Sequence, residues 1–140
     1  LDNFMCEIHA KMIDADDVPD QLIEYYFGQL SSALYFLEPQ HSEEQGFYED
    51  ITKANARLKY NEAYAENQLN SVGSVKKPTQ NDNQLYAEMN SVDEQTLNLI
   101  YSRSARIIRC KFENAHEMLR TLSKISSLRN NYKFIGNSNV

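Results

Sequence analysis

Ile51-Thr52-Lys53-Ala54-Asn55-Ala56-Arg57-Leu58-Lys59-Tyr60 is the stretch of this chain best suited to holding an anion. Lys53 and Arg57 stand four residues apart, so they are neighbours on one side of a helix, and Lys59 and Tyr60 flank them. An ammonium and a guanidinium spaced in this way can each take a phosphate oxygen. The cluster stands out against its surroundings, because residues 1–96 carry six Lys/Arg against eighteen Asp/Glu, a balance of −12. Pairing with Glu49, Asp50 or Glu62 is the competing use of the same charges.

A second group of cations lies in residues 97–140, where eight Lys/Arg face only Glu113 and Glu117, a balance of +6 within a chain of net charge −6. At about 100° per residue, Arg106, Arg109, Arg120 and Lys124 fall on one face of a helix, with Arg103 at its margin. Such a stripe could follow a phosphate backbone, with Tyr101, Phe112 or Tyr132 available to stack on bases. Glu113 and Glu117 share the face and are spaced to pair with Arg109 and Arg120, which is the ordinary chemistry of a helix surface. Two halves of opposite sign can also attract each other, within one subunit or between subunits.

Other chemistry finds little material. Cys6 and His9 have a ligand-like spacing but no second pair nearby, and His41 and His116 are isolated, so no metal site is expected. There is no glycine-rich phosphate loop, no serine elbow and no HExxH. Glu43 with Glu44, and Glu113 with Glu117, are paired carboxylates of the kind any solvated helix carries. No catalytic residue and no cofactor are therefore expected.

The elements that position these groups follow from periodicity. With 140 residues, 4 Gly and 3 Pro, the chain has the size of a single domain and little material for turns, which favours helices. Phe4, Met5, Ile8, Met12 and Ile13 predict a short amphipathic helix ahead of the acidic run Asp14 to Asp17. Asp17-Val18-Pro19-Asp20 reads as the start of a second short helix, whose stripe runs to about Glu38. Pro39 to Ser42 then breaks it, and Ser42 with Glu43 and Glu44 reads as a new N-cap. Phe47, Ile51, Ala54, Leu58, Ala65, Leu69 and Val72 recur in steps of four and three, a heptad-like seam on a first long helix over 43–72. A linker opens at Gly73, and residues 79–90 carry a weak helix around Leu85, Tyr86 and Met89. Ser91-Val92-Asp93-Glu94 has the capping-box pattern and opens a second long helix over 91–135. Its stripe is Leu97, Ile100, Tyr101, Ile108, Phe112, Ala115, Leu119, Leu122 and Ile125, and the tail from Gly136 to Val140 reads as frayed. A helix that long must cover its stripe with the 43–72 helix, with another subunit, or with both. The expected fold is an all-α, long antiparallel hairpin, coiled-coil-like, with shorter N-terminal helices.

No apolar run approaches the roughly 20 residues that span a bilayer, so no membrane partner is expected. With two distant cysteines and no basic-then-apolar leader, an intracellular setting is expected; a single long-range Cys6–Cys110 bridge in a secreted chain is the alternative.

At this point the chain resembles the UvsY-type recombination mediators of bacteriophages. The shared elements are Ala56-Arg57-Leu58-Lys59-Tyr60 on a long helix, a polar break with Lys77-Pro78-Thr79, the acidic cap Val92-Asp93-Glu94, and a final helix with Leu119, Ser123 and Leu128-Arg129. The likeness runs loosely over residues 43–135. It implies a non-enzymatic protein of the infected bacterial cytoplasm that binds single-stranded DNA as a homo-oligomer. Such a protein helps load a RecA-like recombinase onto strands coated by a single-strand-binding protein. The family's DNA contact is a Lys-Ala-Arg element; Arg57 matches its arginine, while Asn55 stands where its lysine would be, leaving Lys53 and Lys59 as the nearby cations.

The residues and the resemblance together give a first expectation of DNA contact through Lys53, Arg57, Lys59, Arg103, Arg106, Arg109, Arg120 and Lys124. A second expectation is a virion or assembly protein whose helices contact only protein. A third is an acidic inhibitor occupying a host protein's nucleic-acid site.

Overall fold

A computed structural model describes residues 1–13 and 17–137. Four helices follow one another: α1 (Asp2–Met12), α2 (Asp20–Asn70), α3 (Gln80–Asn90) and α4 (Val92–Asn137). No strand occurs among the described residues. The all-α expectation holds, and α2 and α4 form the long antiparallel pair. Asp14 to Asp16 of the acidic run, and residues 138–140 of the tail, lie outside the described residues.

Three local readings change. The break expected at Pro39 to Ser42 is absent, because helical structure continues through these residues and α2 takes in both the second short helix and the 43–72 helix. Proline inside a helix forfeits one backbone hydrogen bond, at a cost of about 3 kcal/mol. Buried Leu30 and Leu34, with half-buried Leu37, anchor the preceding turns to the core and offset that loss. The capping box expected at Ser91 is found instead at Thr79, whose side chain accepts from the Asp82 N–H while the Asp82 carboxylate accepts from the Thr79 N–H at 2.8 Å. Ser91 is fully buried, and its hydroxyl donates to the Ala87 carbonyl at 2.7 Å and accepts from Gln95 Nε2 at 2.6 Å. Finally, α4 continues through Gly136 to Asn137, past the expected start of fraying.

The chain divides into two compact units, Leu1–His41 with Ile108–Val140, and Ser42–Ile107. The first unit is conventionally packed. Ile8 of α1, Ile23, Tyr26, Leu30 and Leu34 of α2, and Phe112, Ala115 and Leu122 of α4 form its buried core. Those positions follow helical spacing, as the sequence predicts. The Tyr26 hydroxyl donates to Glu7 Oε1 at 3.2 Å, and burial first, then that carboxylate, raises its pKa above the ordinary value. At the rim, Arg129 and Lys133 of α4 converge on Asp20 of α2, Arg129 at 2.9 Å, and Lys111 pairs with Asp2. His116, isolated in the sequence, lies 2.7 Å from Glu38 Oε2.

The second unit is built the other way round. Its buried residues are Thr52, Ala63, Asn83, Ala87, Ser91 and Ala105, small or polar without exception. Asn98 Nδ2 donates to Thr52 Oγ1 at 3.1 Å and to the Glu49 carbonyl at 3.3 Å, and Asn67 Nδ2 donates to Asn83 Oδ1 at 2.7 Å. Gln45 Oε1 is buried without a hydrogen-bond partner. Tyr48 of α2 stacks on Tyr101 of α4 with ring centroids 5.4 Å apart. These contacts set the register: α4 and then α3 run back along α2, with Asn98 level with Thr52 and Asn83 level with Asn67.

Of the covers open to the final helix, the 43–72 helix, another subunit or both, the seam from Phe47 to Val72 does not serve within the chain. Phe47 is 60% exposed, Leu58 59% and Val72 80%, with Ile51 and Leu69 also exposed. The packed face of α2 is the opposite one, through Thr52, Ala56, Ala63 and Asn67. Small side chains there let the helices approach, and their polar atoms find partners across the contact. Leu97 and Ile100 of the α4 stripe are likewise exposed, although the stripe is buried or half-buried from Ile108 to Ile125.

Candidate nucleic-acid interface

Lys53, Arg57 and Lys59 all project from α2 into solvent, and none makes an ion pair or side-chain hydrogen bond among the described residues. Of the expected competitors for them, Asp50 and Glu62 are exposed without such a bond to them, and Glu49 is half-buried and engaged in an interaction of its own. An exposed lysine or arginine without an adjacent carboxylate keeps its full charge available to a phosphate.

Helical geometry adds two aromatics that extend this cluster. Lys53, Arg57, Tyr60 and Tyr64 are spaced by four, three and four residues, which places them in one row along a flank of α2. The Tyr60 and Tyr64 rings lie near parallel, with centroids 6.5 Å apart and planes at 27°, and both are half-buried. A row of two cations leading to two rings is the combination by which single-stranded nucleic acid is held without sequence preference. Tyr64 was missed from the sequence, although its distance of four residues from Tyr60 is a signal that could have found it. Lys59 stands on the other flank of the helix.

The α4 face is less uniform than its sequence. Arg103 and Arg106 are exposed and free of ion pairs among the described residues. Arg120 pairs with Glu117, as its spacing predicts, and Arg109 is engaged in an interaction of its own. Lys124 is exposed. The division of the chain also separates them: Arg103 and Arg106 belong to the second unit with the α2 cluster, whereas Arg109, Arg120 and Lys124 belong to the first. Of the three rings considered for base stacking, Phe112 is buried in the core, Tyr101 is taken up by Tyr48, and Tyr132 is exposed. The first two are thereby corrected as candidates.

Lys76 and Lys77, in the segment after Gly73, line an open cleft with Asn67, Asp82 and Tyr86. Gly73 has φ +96°, a left-handed conformation that favours glycine, and it lets the chain turn away from the end of α2. Cys6 and Cys110 are both free and exposed. No group of three His, Cys, Asp or Glu among the described residues could hold a metal ion. None of their helices is long and apolar enough to cross a membrane.

No known protein family, curated protein or solved structure matches the chain.

Proposed function

We propose that this chain is a non-enzymatic, self-assembling protein that binds single-stranded DNA. In this reading it is a mediator of the bacteriophage recombination type, which helps load a RecA-like recombinase onto strands held by a single-strand-binding protein. The observation that carries the DNA-binding part is the row Lys53, Arg57, Tyr60 and Tyr64, with exposed Lys59, none of its cations neutralised among the described residues. The self-assembly part rests on the second unit, whose large apolar side chains face outward. The role in recombination rests on the family resemblance alone.

Fluorescence anisotropy with a short labelled oligonucleotide, titrated across salt, tests the DNA contact. Three phosphates neutralised on a single strand give a slope of about −2 in log affinity against log salt. Binding should therefore weaken roughly 20-fold between 50 and 200 mM salt. The Lys53→Glu/Lys59→Glu variant should bind more weakly and with a shallower slope. No binding by the unmodified chain at low salt removes this reading.

A second reading, assembly through protein contacts alone, is favoured by the use made of the α4 charges in the first unit. Lys111, Arg120, Arg129 and Lys133 all hold carboxylates of the same chain, which leaves much of the basic helix unavailable to phosphates. That reading predicts an oligomer with no affinity for the oligonucleotide in the same titration.

A further inference from the structure

The second unit presents two apolar edges whose large side chains are exposed among the described residues. One is the outer face of α2, with Phe47, Ile51, Ala54, Leu58 and Ala65. The other is the outer face of α3 and α4, where Leu85, Met89, Val92, Thr96, Leu99, Arg103 and Arg106 follow one another in steps of four and three across the Ser91 junction. The α2 edge lies opposite the small, polar interface through which α2 meets α3 and α4, whereas the α3–α4 edge flanks that interface, Val92, Thr96 and Leu99 lining a cleft with Ala56 and Leu85 and Met89 one with Asn67.

We propose that the α2 edge of one copy receives the α3–α4 edge of a second copy, head to tail and antiparallel, as a standing self-assembly contact. The inference rests on the self-assembling part of the function proposed above and names the surfaces that part would use.

Three observations favour this occupant. The edges match in length: Phe47 to Ala65 and Leu85 to Arg103 are both seams of large and small side chains at the same helical period. They also match in level. Inside the chain Thr52 stands beside Asn98, and Asn67 beside Asn83. A second copy set alongside without shifting along the axis would bring Leu58 to its Val92, Ile51 to its Leu99, and Phe47 to its Arg103. Arginine over a phenylalanine ring is itself attractive. Third, the charges are complementary. Glu43, Glu44, Asp50 and Glu62 border the α2 edge, Arg103 and Arg106 lie within the α4 edge, and none of the six has an ion-pair partner among the described residues. At the same level Arg106 comes to Glu44 of the next copy.

Pairing of two α2 edges with each other is the rival arrangement. It would bring carboxylates of one edge towards the same carboxylates of the other and would leave the α3–α4 edge bare. A head-to-tail contact uses both edges of every copy and leaves one of each free, so the assembly either closes on itself or continues to grow. Arg103 and Arg106 are then occupied by protein, and the phosphate-binding part stays on the flanks of α2. Lys53, Arg57, Tyr60 and Tyr64 line one flank, and Lys59 stands on the other.

Complementation between two variants tests this directly, by light scattering or sedimentation velocity on the full chain without nucleic acid. Leu58→Asp spoils only the α2 edge and Leu99→Asp only the α4 edge, and both positions are exposed, so the helical circular dichroism spectrum should be kept. The unmodified chain is expected to run as a multimer and each variant as a monomer of 16.2 kDa. An equal mixture of the two should give dimers and nothing larger, because one intact pair of edges remains. Unaltered assembly by Leu99→Asp would overturn the proposal in favour of paired α2 edges, and a monomeric unmodified chain would overturn it outright. Anisotropy on the unmodified chain and on the variants keeps the readings apart: monomeric variants that still bind the oligonucleotide leave both readings standing, whereas an unmodified multimer that binds none, with monomeric variants, removes DNA binding and keeps the contact.

Discussion

Truncating two leucines of the same helix should have unequal consequences, because they lie in units built on opposite plans. Leu30 is 0% exposed in the core of the first unit, and Leu58 is 59% exposed on the outer edge of the second. Leu30→Ala removes the equivalent of three buried methylenes, about 2.4 kcal/mol at 0.8 kcal/mol each. The cavity left behind brings the total into the range of about 2–5 kcal/mol. For a chain of this size that corresponds to a fall in Tm of roughly 10 °C, independent of protein concentration. Leu58→Ala, whose side chain keeps most of its contact with water, should cost about 1 kcal/mol or less in dilute solution. In concentrated solution its cost should grow. A partner in about hundredfold excess over its Kd adds about 2.7 kcal/mol to the unmodified chain, and the variant gains less from it. Thermal melts followed by circular dichroism at two concentrations measure all four values. Were Leu58→Ala to cost as much as Leu30→Ala at the lower concentration, the outward placement of the seam would be refuted. A cost below about 1 kcal/mol for Leu30→Ala would refute the core itself.

Three further outcomes follow from single contacts. Thr79→Ala removes the side-chain half of the capping box and should destabilise α3 by about 0.5–2 kcal/mol, read as faster amide hydrogen exchange over residues 80–90. In the second unit, Thr52→Val should cost about 1 kcal/mol in urea titrations by depriving Asn98 of a partner; Thr52→Val/Asn98→Leu should be close to neutral, since both polar groups leave together. Asp20 has its pKa lowered from 3.8 by hydrogen bonds first from Lys133 and then from Arg129. A carboxylate lowered on folding stabilises fully above its ordinary value and loses that contribution as pH falls through the lower folded value. Melts of Asp20→Asn and the unmodified chain should therefore differ at neutral pH and converge in acid below 3.8; a gap that persists there would contradict the pairing.

Periodicity carried a reader of the sequence a long way in the first unit. Ile8, Phe112, Ala115 and Leu122 were legible as core because large apolar side chains at helical spacing do bury together there. In the second unit the same rule pointed to the wrong face. Phe47, Ile51 and Leu58 are larger and more regular than Thr52, Ala56 and Ala63, yet the small residues make the contact. A heptad seam states that a face wants a partner, but it does not say whether the partner belongs to the same chain. Pro39 and Ser42 misled for a related reason, since capping and breaking signals act locally and tertiary packing overrode them. Of the site, the shared side of Lys53 and Arg57 was legible from their spacing, and all three cations of the cluster, Lys59 included, are exposed. The Arg120–Glu117 pair was legible only as a possible spacing, and the Tyr60–Tyr64 ring pair only as a separation of four residues on one helix.

Pro39 gives α2 an inbuilt fault line. Its ring supplies no hydrogen for the oxygen of Tyr35, one turn earlier, so the helix forgoes one backbone hydrogen bond there. The fault falls between Leu37, the last residue of this part of α2 packed against the first unit's core, and His41, where that unit's share of α2 ends. Pulled from its ends or warmed slowly, the rod should tear first at this turn and not at its tips. The segment up to His41 would then hold or melt with its own oily centre, while the remainder answers to how many neighbours it has.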